Sequence, residues 1–235
     1  MNYADAGVNA SVSPKPLGVF ERFIGVFTSP AATMRDIAAR PTWLPPMIMA
    51  VAVALVFSLF SQDLILERQR TEVRKRNPEI TEQQLAVMEK MTRISTPTMA
   101  VVMTPVIYLV IAGVLLFSGN ILLGSETKFK TLFATTAWSG VISVLSTLVN
   151  APVMKARGVL ESATSLAFLL PPEDNQTPLY FLLSQIDLFT LWWVIVLGFG
   201  FAAACKFTTQ KSMTVLFIWW AALAAVGFGL KMMFR

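Results

Sequence analysis

The chain has 235 residues, of which 55% are hydrophobic and only 14% charged, with a mean hydropathy of +0.62. These proportions exclude an ordinary soluble domain with a charged surface, and the lack of histidine excludes imidazole metal sites, serine–histidine catalysis and histidine proton relays. The net charge of +5 does not point to nucleic acid, because the basic residues are spread over every connection between apolar runs, a distribution that suits anionic lipid headgroups.

Residues 1–17 read as a polar N-terminal tail, and 18–235 as one membrane domain. The first forty residues carry scattered charge and no apolar stretch beside a small-residue cleavage site, so the first span is expected to serve as an uncleaved anchor. Phe20, Phe23, Ile24 and Phe27 recur at helical spacing with Glu21 and Arg22 opposite, which predicts a short helix in the headgroup region. Ser29 and Pro30 read as the N-cap and first position of a second interfacial helix, stopped by Pro41.

Each charge at the bilayer centre costs about 2.5–3.5 kcal/mol, so stretches without charge are the main signal. Five occur, at 41–62, 94–125, 131–154, 188–205 and 212–230. About 20 helical residues cross a hydrocarbon core, which predicts spans near 43–62, 98–123, 131–154, 186–205 and 212–230. Trp43 lies near the end of the first and reads as an interfacial belt residue. The second is expected to start near Pro97 or Thr98, with Pro105 a candidate kink. Small residues cluster in the last two, from Gly198 to Ala204 and from Ala221 to Gly229, and predict close helix packing.

Between the first two spans, residues 63–97 hold seven basic and six acidic side chains, broken at Asn77-Pro78. Thr81 with Gln84 forms a capping-box pattern, and Leu85, Met88 and Met91 follow on one face. This segment reads as an extramembrane helical hairpin. Residues 158–172 are apolar but short and read as re-entrant or interfacial, ended by Pro171-Pro172. The triplet Asn175-Gln176-Thr177 matches a glycosylation acceptor by chance, since Pro178 follows.

Asn150 and Pro152 end the third span as a cap or kink, and Asp187 opens the fourth as an interfacial acid or a partner site. Lys155 and Arg157 follow the third span on the same membrane side, so either is expected to pair with Asp187 and clamp the two spans together. Ser118, Asn120, Thr135, Thr136, Ser139, Ser143 and Ser146 supply atoms for hydrogen bonds between helices. No paired aspartates, metal-ligand cluster or cofactor motif is present, and Cys205 is the sole cysteine.

The order of residues in FTSPAATMRDIAARPTWLPP at 27–46, ITEQQLAVMEKM at 80–91 and FKTLFATTAWSGVISVLSTLVNAPV at 129–153 resembles the Yip family of Ypt/Rab-interacting membrane proteins, in its prokaryotic branch. The resemblance continues in SLAFLLPPE at 165–173 and IDLFTLWWVIVLGFGFA at 186–202. It implies an all-α bundle of five spans with a cytoplasmic N-terminus, no catalytic, cofactor or metal residues, and a bacterial cytoplasmic (inner) membrane location. Eukaryotic relatives bind Rab-type GTPases, but bacteria lack the vesicle traffic that gives that role meaning, so it does not transfer.

The expected function is a non-enzymatic membrane interaction or scaffold protein, with lipid, other membrane proteins or a second copy of itself as partners. A small transporter or channel component is the alternative. Charge and resemblance disagree on orientation: the N-terminal side carries eight Lys and Arg and the other side eleven, which by itself puts the N-terminus outside.

Overall fold

Helix starts follow the punctuation in the sequence. In the computed structural model, which describes residues 16–171 and 177–233, α1 (Val19–Thr28) and α2 (Pro30–Ala39) meet at Ser29. Pro30, with no N–H to donate, takes the first helical position of α2. Ser29 caps through its backbone, its carbonyl accepting the Thr33 N–H at 3.0 Å, while its side chain makes no cap bond. Residues 1–15 of the polar tail, Pro172 and the Asn175-Gln176 pair lie outside the described residues.

The chain is an all-α polytopic membrane protein. Four helical stretches are long and apolar enough to cross a membrane, Glu82–Leu122, Phe129–Arg157, Leu188–Cys205 and Thr209–Leu230. The pair α3 (Leu44–Phe60) and α4 (Gln62–Arg76), bent by 55°, raises the number to five if taken as one span. Successive spans alternate in direction. The connections at 123–128 and 206–208 therefore share one face, and the 62–97 segment and 158–187 share the other.

α4 and the first half of α5 (Glu82–Leu116) form the expected helical hairpin, which carries most of the charge between the first two uncharged runs. Arg70 pairs with Glu89 and Arg74 with Glu82, Thr92 Oγ1 donates to Gln69 Oε1 at 2.8 Å, and Arg68 ties the arm to Glu161 at 3.1 Å. The Thr81 capping box is closed in both directions: the Gln84 N–H reaches Thr81 Oγ1 at 3.3 Å and the Thr81 N–H reaches Gln84 Oε1 at 3.0 Å.

Contrary to expectation, the helix that holds the second span does not start near Pro97 or Thr98. One helix runs from Glu82 through Pro97 and Pro105 to Leu116, then widens into a π turn, Phe117–Leu122. Pro97 cannot donate to the carbonyl four residues back, that of Arg93, and the Gln62 side chain donates there instead at 2.8 Å. A partner from the neighbouring helix thus removes the main reason for a break. Arm and span are one rod.

The third span is two helices, α6 (Phe129–Ser139) and α7 (Ile142–Arg157), interrupted at Gly140. Tyr108 of α5 packs so closely there that a Cβ on Gly140 would collide with its hydroxyl. After α7 come a 3-10 turn, Leu166–Leu169, and α8 (Pro178–Ser184), which place the 158–171 segment against the bundle end as irregular chain. α9 (Leu188–Cys205) and α10 (Thr209–Met233) close the bundle.

α9 is the centre of the packing, with Val196 and Phe201 fully buried. A Cβ on Gly200 would lie 2.9 Å from the Thr135 Cβ and 3.3 Å from the Met34 sulfur, so glycine lets α2 and α6 meet α9 at one point. Ser212 Oγ donates to the Gly198 carbonyl at 2.7 Å and draws α10 in. The small residues of α10 behave differently: Ala221, Ala222 and Ala225 are exposed and nothing lies within 4 Å of a Cβ on Gly229. Of its two glycines only Gly227 comes near another helix among the described residues, with a Cβ there 3.6 Å from the Phe181 ring of α8, so the expected close packing is confined to that point.

The two short N-terminal helices are present, with Val19, Phe20 and Ile24 of α1 exposed. α2 is drawn deeper than a surface helix, along α9: Thr33, Met34 and Ile37 are buried, and Phe27 at the hairpin tip meets Trp192 edge-on at 5.7 Å.

Candidate functional site

Asp187 occupies the N-cap of α9, where four helix N–H groups lack partners within the helix. Its Oδ1 accepts the Thr190 N–H at 3.0 Å and the Thr190 hydroxyl at 3.3 Å. Its Oδ2 accepts the hydroxyls of Ser162 at 2.7 Å and Thr164 at 2.6 Å. An antiparallel bridge between Ser165 and Asp187 holds these groups in register, with Leu166 N–H on the Ile186 carbonyl at 2.9 Å and Leu188 N–H on the Thr164 carbonyl at 3.2 Å.

Asn150, 4% exposed on α7, completes the cluster. Its Nδ2 donates to Thr164 Oγ1 at 3.2 Å and its Oδ1 accepts the Ser162 hydroxyl at 3.2 Å. The third and fourth spans are therefore joined, but through neutral hydroxyls. The expected ion pair of Asp187 with Lys155 or Arg157 is absent. Both cations sit farther along α7, about 7–10 Å beyond Asn150 at 1.5 Å per residue, past the level of the carboxylate. Lys155 Nζ lies 4.6 Å from the Phe60 ring centre and Arg157 Cζ 4.3 Å from that of Phe168. Pro152 lies within α7, not at its end.

At the other face a second polar cluster forms around a residue that sequence reasoning placed on an outer polar face. Arg22 is 4% exposed. It donates from Nε to Asp36 Oδ2 at 2.9 Å, from Nη1 to Thr42 Oγ1 at 2.6 Å and from Nη2 to the Arg40 carbonyl at 3.1 Å. Arg40 also pairs with Asp36, and the Trp138 indole N–H reaches the Thr42 carbonyl at 2.8 Å. Burial raises the Asp36 carboxyl, but the bonds from Arg22 and Arg40 outweigh it and hold the group below its ordinary value. A signal was there: Arg22 and Asp36 lie equally far on either side of the Ser29 turn, so a helical hairpin brings them together. Trp43, beside this cluster, opens α3 and rests its ring 5.5 Å from that of Phe133.

Among the other polar residues of the spans, Ser118 does bond between helices, accepting the Trp219 indole N–H at 2.9 Å. Thr135 and Ser139 instead donate to carbonyls of their own helix, and Thr136 Oγ1 is buried with no partner among the described residues. Chemically, both clusters orient and hold. Each carboxylate is surrounded by donors, and among the described residues no three His, Cys, Asp or Glu side chains gather as a metal-binding group.

The model of one protein family, described as the Yip1 domain, matches residues 24–230. No curated protein and no solved structure matches the chain.

Proposed function

Because the chain belongs to the Yip1 domain family, we propose that it is a non-enzymatic interaction or scaffold protein of the bacterial cytoplasmic membrane, an accessory subunit that docks other membrane proteins through its extramembrane arm. Residues 18–235 act as one membrane domain, with the N-terminus on the cytoplasmic side as the family resemblance implies. The observation that carries this reading is an apolar stripe on the arm. Val87, Met91 and Ile94 lie on one face of α5 and are 56%, 66% and 63% exposed, amid charged neighbours and outside the apolar body of the span. Leu66 and Leu85 meanwhile fill the inner side of the arm, so the stripe is surplus to its own packing. Because α5 continues unbroken into the second span, a partner held there is rigidly linked to the bundle.

Photo-crosslinking groups placed at Val87 and Met91 in native membranes test the idea, with Ile218 on α10 as a lipid-facing control. Discrete protein adducts at the arm, absent at Ile218, support it. Lipid adducts alone at all three positions overturn it. The alternative of a small transporter rests on Asp187, a buried carboxylate without a basic partner, and is tested by flux in proteoliposomes that Asp187→Asn abolishes.

A further inference from the structure

We propose that a cavity on the N-terminal face binds the phosphate of an anionic lipid headgroup. The proposal is independent of the arm reading. The cavity has a volume of about 640 Å³ and lies between the end of α2, the 123–128 connection with the start of α6, and the end of α9. Arg35, Lys128 and Lys206 line it, one from each of the three walls, against a single acid, Glu126. Among the described residues no acid forms an ion pair with any of the three cations. Three like charges around one hollow repel each other, and an anion seated between them relieves that repulsion.

The walls are fixed before any ligand arrives. Asn120, on the π turn, accepts the Ser125 hydroxyl at 2.6 Å and the Thr127 N–H at 3.1 Å, and donates to the Thr127 carbonyl at 2.9 Å. Thr127 Oγ1 in turn donates to the Ala204 carbonyl at 2.8 Å, fastening the connection to α9. Small side chains, Ala38, Ala39, Ala203 and Ala204, leave the space open. α6 starts here with no side-chain cap and no acid in its first turn, so its positive end adds to the field.

A lipid is favoured over a soluble phosphate by position. The cavity sits at the ends of the helices that cross the bundle, and on the segments that lead into and out of its 123–128 wall Ile121, Leu122 and Phe129 are 71%, 59% and 38% exposed, apolar side chains on which acyl chains can lie. Anionic lipids concentrate on the cytoplasmic leaflet, the side that the family resemblance gives to this face.

The protein purified in a neutral detergent is titrated with phosphatidylglycerol, phosphatidylcholine or inorganic phosphate, following melting temperature and bound lipid by native mass spectrometry. Phosphatidylglycerol should bind and raise the melting temperature, and phosphatidylcholine should do neither. Affinity should fall about fivefold for each of Arg35→Gln, Lys128→Gln and Lys206→Asn, and roughly a hundredfold for all three, each basic residue contributing one increment of attraction. Lys75→Gln on the arm should leave it unchanged. Melting temperatures in phosphatidylcholine alone report whether a variant is folded, and Lys128→Gln alone suffices if the triple variant is not. Inorganic phosphate protecting as well as phosphatidylglycerol at equal concentration would keep the phosphate site and replace the lipid as its source. Equal binding of the two lipids, or phosphatidylglycerol binding that survives the triple substitution in folded protein, would overturn the proposal.

Discussion

The arm and the N-terminal hairpin are held together by the same chemistry, arginine against carboxylate, in opposite surroundings. On the arm, the Arg70 and Arg74 side chains are 59% and 55% exposed; between α1 and α2, that of Arg22 is 5% exposed. An exposed pair exchanges water for a partner at little gain, whereas a buried guanidinium depends on every acceptor it has. The number of ion pairs therefore says little about where stability lies. Their depth says much more.

The strongest way to break this comparison is to remove the buried cation. Arg22→Met leaves Asp36 with only the more exposed Arg40 as a partner and takes the donors from the Arg40 carbonyl and Thr42, and should cost about 3 kcal/mol, read as a loss of thermal stability in detergent. Arg22→Lys should recover only part of it, because one ammonium cannot reproduce a fork directed at three acceptors. A variant as stable as the parent would show that the hairpin is held by its apolar contacts alone.

Acid breaks the same pair more gently. The Asp36 carboxyl titrates lower in the folded protein than in the unfolded chain, so its contribution is fully present above about pH 4 and is lost as pH falls through the folded value. Melting temperature against pH should therefore drop more steeply in acid for the parent than for Asp36→Asn. Parallel curves would remove Asp36 from the account.

Asp187 sits between the two extremes, buried but served by neutral donors. Asp187→Ala should cost about 1–3 kcal/mol, from the lost α9 cap and the stranded hydroxyls of Ser162 and Thr164. Asp187→Asn should cost less. Combined with Arg157→Gln or Lys155→Gln, its effects should simply add, since neither cation touches the carboxylate. Coupling in either double variant would restore the ionic clamp.

The smallest effect is expected on the arm. Arg70→Gln, Glu89→Gln and the double variant should leave the melting temperature within error of the parent, and 0.5 M salt, a concentration chosen at roughly the point where the Debye length falls to a few ångströms, should change none of them. A clear loss would place the arm beside the hairpin as a stabilising element and end the contrast.

Much of this architecture is legible in the chain itself because lipid enforces it. A charge in hydrocarbon is so costly that uncharged runs mark the candidate spans, four of the five lie in helices long and apolar enough to cross, and Leu188–Cys205 coincides with one of them residue for residue. Local chemistry was equally readable where both partners lie within one turn, as in the Thr81–Gln84 box, the Ser29-Pro30 helix start and Asp187 at the head of α9. What the tertiary structure alone decided were partners far apart in sequence. Pro97 should have ended a helix, and only the docking of Gln62 beside Arg93 shows why it does not. Asp187 was expected to meet Lys155 or Arg157 on the same membrane side, and the register of α7 carried both past it while the 162–164 hydroxyls arrived instead. The glycines of α9 and the alanines of α10 look alike as letters, yet α9 is surrounded by helices and α10 stands at the edge. Solvent preference and one-turn capping are written in neighbouring residues, whereas the meeting of Arg35, Lys128 and Lys206 around one cavity depends on how three separate elements pack.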